Sequence, residues 1–261
     1  MACMNEGSPD ISVIIPCYNE QDRIAGLLSS LLKEPVGDSA EIIVVDDGSQ
    51  DDSIAKIMPL LGQGVIQLSR NRRNLGKGFA LRRGLRIARG RWVVVLDADG
   101  EYDPCDLETV LEPLRTGQAD VVLSYRHTRR GQSRAHDVFN WGLSRAVSIY
   151  AGTRIADVCS GYKAFSRPLL SPRMLKTAGF GFDLVFVLTV CCARGLSVAQ
   201  VPVDYRARSY AEGKKIGFRD AVEIMALFTS HVWRWVCRGW SEKQGRRGKA
   251  LRRPLADSRN G

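Results

Sequence analysis

Two carboxylates stand one residue apart at the end of an apolar run. Asp97-Ala98-Asp99 closes Trp92–Asp97 (WVVVLD) and is followed by Gly100, Glu101 and Pro104. Carboxylates at a strand end suit Mg2+ or Mn2+, with the metal bridging the phosphate oxygens of a substrate. Asp-x-Asp is common by chance, so the alternative is a helix N-cap on a solvated turn. A buried run that ends in a glycine turn favours the metal. Asp46-Asp47-Gly48-Ser49 ends a second apolar run. It reads either as an Asx turn capping a helix near Asp51, or as a carboxylate that accepts hydrogen bonds from a base or ribose. Asn74-Leu75-Gly76-Lys77-Gly78 opens a helical pattern, where glycines expose backbone N–H groups to an anion. It matches neither a P-loop nor a dinucleotide fingerprint, and a tight turn remains open. Further on, Arg206-Ala207-Arg208 and Glu212-Gly213-Lys214-Lys215 mix cations with small residues. Cations in a mobile loop can close over a diphosphate and stabilise its departing charge. Without the acidic pair they would read as an ordinary solvated loop.

These clusters need elements to hold them. Ile11–Pro16, Glu41–Asp46, Val65–Leu68, Trp92–Asp97 and Asp120–Ser124 are short runs rich in Val and Ile. Continuous apolar runs, rather than in/out alternation, are what strands covered on both faces look like. Between them, Ile24, Leu27, Leu28 and Leu31 follow helical spacing, as do Leu81, Leu85 and Ala88, with Arg82, Arg83, Arg86 and Arg89 opposite. Strands alternating with helices predict an α/β domain with a mostly parallel sheet flanked by helices. In such sheets ligands lie beyond the carboxyl ends of the strands. Tyr18-Asn19-Glu20, Asp46–Ser49, Asp97–Asp99 and Arg126 all fall at such ends.

With 261 residues, 44% of them hydrophobic, the chain can bury a sizeable core. Its seven cysteines form no CxxC pair, which predicts reduced buried thiols. His127, His136 and His231 lack metal-ligand spacing. No signal peptide is expected at residues 1–10, and no apolar run approaches the roughly 18 residues of a membrane span. The net charge of +10 is uneven: residues 238–261 hold eight Lys/Arg against two Asp/Glu, leaving +4 on the first 237. Such a tail suits anionic lipid headgroups or nucleic acid, or is simply solvated. An acidic site repels nucleic-acid phosphates in the absence of metal, so no nucleic-acid partner is expected.

The motifs PCYNE, VVDDGS, NLGKG, LDADG, DVCSGYKAFSR and VPVDYRAR…EGKK, in this order over residues 10–220, resemble the family 2 glycosyltransferases of GT-A (Rossmann-like) fold. Within them they are most similar to the enzymes that make dolichyl- or polyprenyl-phosphate mannose or glucose. The resemblance implies an inverting, metal-dependent hexosyltransferase with Mg2+ or Mn2+ as cofactor. It also implies a nucleotide-sugar donor (GDP-mannose favoured, UDP-glucose the alternative) and a polyprenyl or dolichyl phosphate acceptor. A soluble acceptor, or an inactive basic binding protein on the same body, are the other readings. By position, Pro16, Tyr18, Glu20, Val45 and Asp47 would hold the nucleoside. Asp97, Ala98, Asp99 and Glu101 would serve metal and diphosphate, and Arg126, Arg208 and Lys214 the phosphates. Asp99, Arg126, Arg208 and Lys214 are the expected catalytic set. Many relatives carry Gln at the position of Glu101, and Ser at that of Gly213.

The chain then divides into an extension (1–9), a catalytic domain (10–216), a helix (217–240) and a basic tail (241–261). In the helix, Val222, Met225, Thr229, Val232, Val236 and Trp240 form a stripe beside Trp233 and Trp235, with Arg219, Glu223, Arg234 and Arg238 largely opposite. It reads either as an interfacial helix on the cytoplasmic face of a membrane or as a helix packed on the body.

Overall fold

The computed structural model describes residues 9–34, 40–128, 131, 134–169, 181–191, 196–208, 221–230, 232 and 233. In chain order the elements are β1 (Ile11–Cys17), α1 (Ile24–Leu31), β2 (Ala40–Asp46), α2 (Ser53–Ile57), β3 (Ile66–Arg70), α3 (Lys77–Ile87) and β4 (Trp92–Val95). They continue with α4 (Leu107–Arg115), β5 (Val121–Arg126), α5 (Arg134–Ala151), β6 (Lys163–Ser166), α6 (Phe182–Cys191) and β7 (Val198–Val203). Residues 221–230 are helical.

The seven strands form one sheet in the order β3-β2-β1-β4-β6-β5-β7. All pairs are parallel except those of β6, which runs against β4 and β5. Both faces are covered. Ile24, Leu27, Leu28 and Leu31 of α1 and Leu107, Val110, Leu111 and Leu114 of α4 cover one face. Leu81 and Leu85 of α3, Leu143 and Val147 of α5 and Phe186 of α6 cover the other. This is the α/β, mostly parallel sheet that the runs of Val and Ile predict.

The chain winds outward from β1 to β3, returns through α3 on the opposite face, and resumes at β4 beside β1. Strand order therefore reverses between β1 and β4, where such sheets hold ligands. Pairing of β1 with β4 ends at Ile14 and Val95, whereas pairing with β2 continues to Cys17 and Asp46. A crevice opens past Ile14, and Pro16 sits in it, where no ladder bond to β4 is lost.

Residues 221–230 bear on the choice between membrane and body. Ile224 is buried in the second apolar layer, with Leu227 and Phe228 packed against it. The Phe228 ring meets Tyr150 of α5 edge-on at 6.3 Å. The packing stripe is thus one step round from the expected one, whose Val222 and Met225 remain 53% and 41% exposed. Residues 217–220, 231 and 234–240 of that expected helix, and the whole tail, lie outside the described residues. Among the described residues no helix is long and apolar enough to cross a membrane.

Candidate active site

The carboxyl ends of β1, β2, β4 and β5 and the chain after β7 surround a cavity of about 1020 Å³. Its base is held by cross-links between loops. After β1, Asn19 Oδ1 accepts from the Gln50 amide, and the Asn19 amide donates to Ser49 Oγ. After β2, Asp46 closes an Asx turn by accepting from the amides of Gly48 and Ser49. The turn needs Gly48, whose φ is +78° and whose Cα lies where a side chain would strike the Arg73 backbone. Asp47 is buried and accepts from Asn71 Nδ2 at 2.7 Å and from the amides of Leu75 (3.1 Å) and Gly76 (2.7 Å). The NLGKG loop is therefore pinned by this carboxylate, and amides that glycines leave open to an anion are turned to Asp47 instead.

Asp97 and Asp99 follow β4. Lys77, from the first turn of α3, reaches Asp97 at 2.8 Å and Asp183 at 3.2 Å. Asp183 also accepts from the buried Lys163 of β6 at 2.6 Å. Arg208, five residues beyond β7, bridges Glu20 (3.1 Å) and Asp99 (3.1 Å). Its amide donates to Glu101 Oε1, and its Nε lies 3.7 Å from the same oxygen, too far for a hydrogen bond. That Nε is buried and has no hydrogen-bond partner among the described residues.

Glu101 accepts from Tyr205 Oη at 2.7 Å. The four carboxylates are not equally open. Side-chain exposure is 22% for Asp97 and 18% for Asp99, against 10% for Glu101 and 7% for Glu20. Asp97 and Asp99 thus present themselves to the cavity, while Glu101 holds Arg208 and Tyr205.

Burial, opposed by Lys77 and aided by Asp99, pushes the Asp97 carboxyl up to about 6. Burial and Glu101, opposed by Arg208, push Asp99 up to about 6 as well. Burial is the largest cause in both, and neighbouring carboxylates add to it. The donor set fits a hard divalent cation: two carboxylates with an unmet demand for positive charge. Among the described residues no three Asp, Glu, His or Cys side chains converge to hold a metal by themselves. Mg2+ and Mn2+ sites that take one or two carboxylates and complete their shell with substrate phosphate and water need no more.

Arg126 ends β5 and is gripped by Asp157, with Nε to Oδ2 at 2.7 Å and Nη2 to Oδ1 at 2.9 Å. Asn140 of α5 and the Cys159 amide donate to the same carboxylate. Despite burial, Arg126 holds Asp157 below the usual carboxylate range. The guanidinium lies 4.9 Å from the centre of the Tyr205 ring. Gly161, in the same loop, has no room for a side chain: a methyl there would run into the Asp97 carboxylate.

Of the expected residues, Pro16, Tyr18, Glu20, Asp47, Asp97, Ala98, Asp99, Glu101, Arg126 and Arg208 line the cavity. Val45 does not; its side chain is fully buried between the sheet and α3. Lys214 lies outside the described residues. Sequence reasoning passes over Lys77 as a cation, and over Lys163, Asp183 and Tyr205. A lone Asp in the first turn of an otherwise apolar helix, and a Lys opening an apolar strand, are the signals that mark Asp183 and Lys163. It also passes over the far wall, where Phe139, Leu184, Val222, Ile224 and Met225 line the same cavity with apolar surface.

Three comparisons bear on this geometry. The model of the family "Glycosyl transferase family 2" matches residues 12–171. The dolichyl-phosphate beta-glucosyltransferase of Saccharomyces cerevisiae is 30% identical over 237 residues, covering 77% of this chain and 70% of that protein. The dolichol-phosphate mannosyltransferase of Pyrococcus furiosus is 28% identical over 236 residues, covering 86% of this chain and 63% of that one. The chain thus spans about two-thirds of the length of these relatives. Among solved structures, glucosyl-3-phosphoglycerate synthase from Mycobacterium tuberculosis, in complex with Mn2+, uridine diphosphate and phosphoglyceric acid, superposes with a TM-score of 0.64 at 25% identity. That match covers 86% of this chain and 78% of the other.

Proposed function

This chain belongs to glycosyl transferase family 2, and on that premise we propose that it moves a hexose from a nucleotide-sugar to the phosphate of a polyprenyl or dolichyl lipid at a membrane surface. One observation carries the reading: a single cavity joins an end lined by carboxylates and guanidinium groups to a wall of Phe139, Leu184, Val222, Ile224 and Met225. An acceptor with an anionic head and a hydrocarbon tail matches both ends.

The donor lies over the β1–β4 crevice, against Pro16, Tyr18, Glu20 and the loop pinned by Asp47. Asp97 and Asp99 would hold Mg2+ or Mn2+, which would supply positive charge to the donor diphosphate. Arg208 keeps a buried Nε–H to donate to a phosphate oxygen. Arg126, held in a fixed plane by Asp157, presents itself to the acceptor phosphate. An acceptor phosphate oxygen attacks the anomeric carbon, and the bond to the nucleoside diphosphate breaks, with its electron pair leaving on the diphosphate and the anomeric configuration inverted. A lipid phosphate is ionised near neutral pH, so no general base is needed. The protein acts by positioning and by stabilising the departing charge.

A mannosyl donor with GDP is the favoured reading, and a glucosyl donor with UDP the alternative. The likeness to glucosyl-3-phosphoglycerate synthase favours a second reading, a soluble phosphorylated acceptor. A donor screen decides between them, using full-length protein, Mn2+ or Mg2+, and either a short polyprenyl phosphate or 3-phosphoglycerate. Transfer to the prenyl phosphate is expected. Transfer to 3-phosphoglycerate alone would overturn the lipid acceptor.

A further inference from the structure

α5 has two sides with different surroundings. Its inner side brings Ala135, His136, Phe139 and Asn140 to the cavity and buries Leu143 and Val147. Its outer side carries Arg134, Val138, Trp141, Arg145 and Ile149, whose spacing keeps them on one stripe of a helix. All five are exposed, as is Arg154 just beyond the helix. Val138, Trp141 and Ile149 show 68, 69 and 75% of their surface. Single exposed apolar residues need no explanation, but three on one stripe do. Arginines stand among them, and the central residue is an indole. Apolar side chains for the acyl boundary, cations for anionic headgroups and a Trp between the two layers make an interfacial helix. Asp137 flanks the stripe and Glu223 is exposed on the adjoining helix, so cations outnumber acids on this side.

The surface does not stop at α5. Residues 221–230 lie against it through Phe228 and Tyr150. They leave Val222 and Met225 exposed, and Trp233 is 71% exposed. Val222 and Met225 also line the cavity. The cavity therefore opens beside two helices that both carry exposed apolar side chains.

We propose that the outer face of α5, extended by the exposed side of residues 221–230 and by Trp233, seats the protein on an anionic lipid bilayer. This rests on the reading of the acceptor as a lipid phosphate, because the seated protein turns the cavity opening toward the headgroups. The basic tail adds attraction without direction, whereas the stripe on α5 sets orientation.

The test uses full-length protein and vesicles of equal parts phosphatidylglycerol and phosphatidylcholine, titrated by co-sedimentation. Trp141→Ser with Arg145→Glu alters only exposed side chains; Ile149→Glu is a second variant should the first fail to fold. Vesicle affinity should fall by about tenfold or more. Transfer to polyprenyl phosphate embedded in those vesicles should fall with it. Transfer to a short, water-soluble polyprenyl phosphate without vesicles should stay at the parent level. Unchanged vesicle affinity in a folded variant overturns the proposal. So does unchanged affinity accompanied by loss of a parent dimer in sedimentation velocity, which would assign the stripe to a second copy of the chain. If the parent transfers to no prenyl phosphate in solution, the acceptor reading fails, and the vesicle titration still decides the docking face.

Discussion

Asp97 and Asp99 are acids held where charge is poorly tolerated, and each is raised to about 6 by burial and by carboxylate neighbours. A divalent cation binding there would have to displace any proton they carry. Both groups bind protons as pH falls through 6, so Mn2+ affinity of the donor-free protein should drop steeply from pH 7 to pH 5. Calorimetric titration at three pH values checks this, and a flat profile would remove the pair from metal binding. Asp99→Asn should lower Mn2+-dependent transfer by about a hundredfold or more while leaving the circular dichroism unchanged. Asp157→Ala is different in kind. It leaves the buried Arg126 without its bidentate partner, so it should destabilise the fold by about 3–5 kcal/mol in denaturant titrations as well as weaken acceptor use. Most of these residues are legible in the sequence as types at strand ends; their partnerships are not. Asp47 meets partners 24 to 29 residues away, and Arg208 meets Asp99 across 109. A local reading therefore cannot tell that one carboxylate anchors a loop while its likeness faces the cavity.

At the scale of elements, strands with runs of Val and Ile declare themselves, because a strand covered on both faces must be apolar throughout. β6 does not, since it has four residues and opens with Lys163, a buried charge that Asp183 and the Ser160 carbonyl satisfy. β7 carries Pro202, which an edge strand accepts and a central one does not. α6 is buried all round, so it has no polar face to give a period of 3.6. The helical segment 221–230 is anchored where the expected stripe is not. Ile224→Ala should cost about 2–5 kcal/mol if its burial fixes the segment to the body, read as a lowered denaturation midpoint. Val222→Ala, on the exposed cavity rim, should leave the midpoint nearly unchanged.

For the molecule as a whole, helices on both faces of one sheet set the large cavity beyond its carboxyl ends, and positive charge is biased toward the far end of the chain. Metal should stabilise the folded state over the unfolded one. At a hundred times its dissociation constant, Mn2+ should add about 2.7 kcal/mol at pH 7 and raise the melting temperature, and chelator should reverse the gain. The same addition should have little effect on Asp99→Asn. Arg208 gives this loading an internal rhythm. It ties the loop after β1, the loop after β4 and the chain beyond β7 into one knot through Glu20, Asp99 and the carboxylate of Glu101. That guanidinium already sets a positive charge against Asp99, where a divalent cation would bring its own. A divalent cation at Asp99 would have to compete with that guanidinium, and a guanidinium released there would be placed to meet a diphosphate. On the reading proposed above, filling the site and freeing its clasp would be one event.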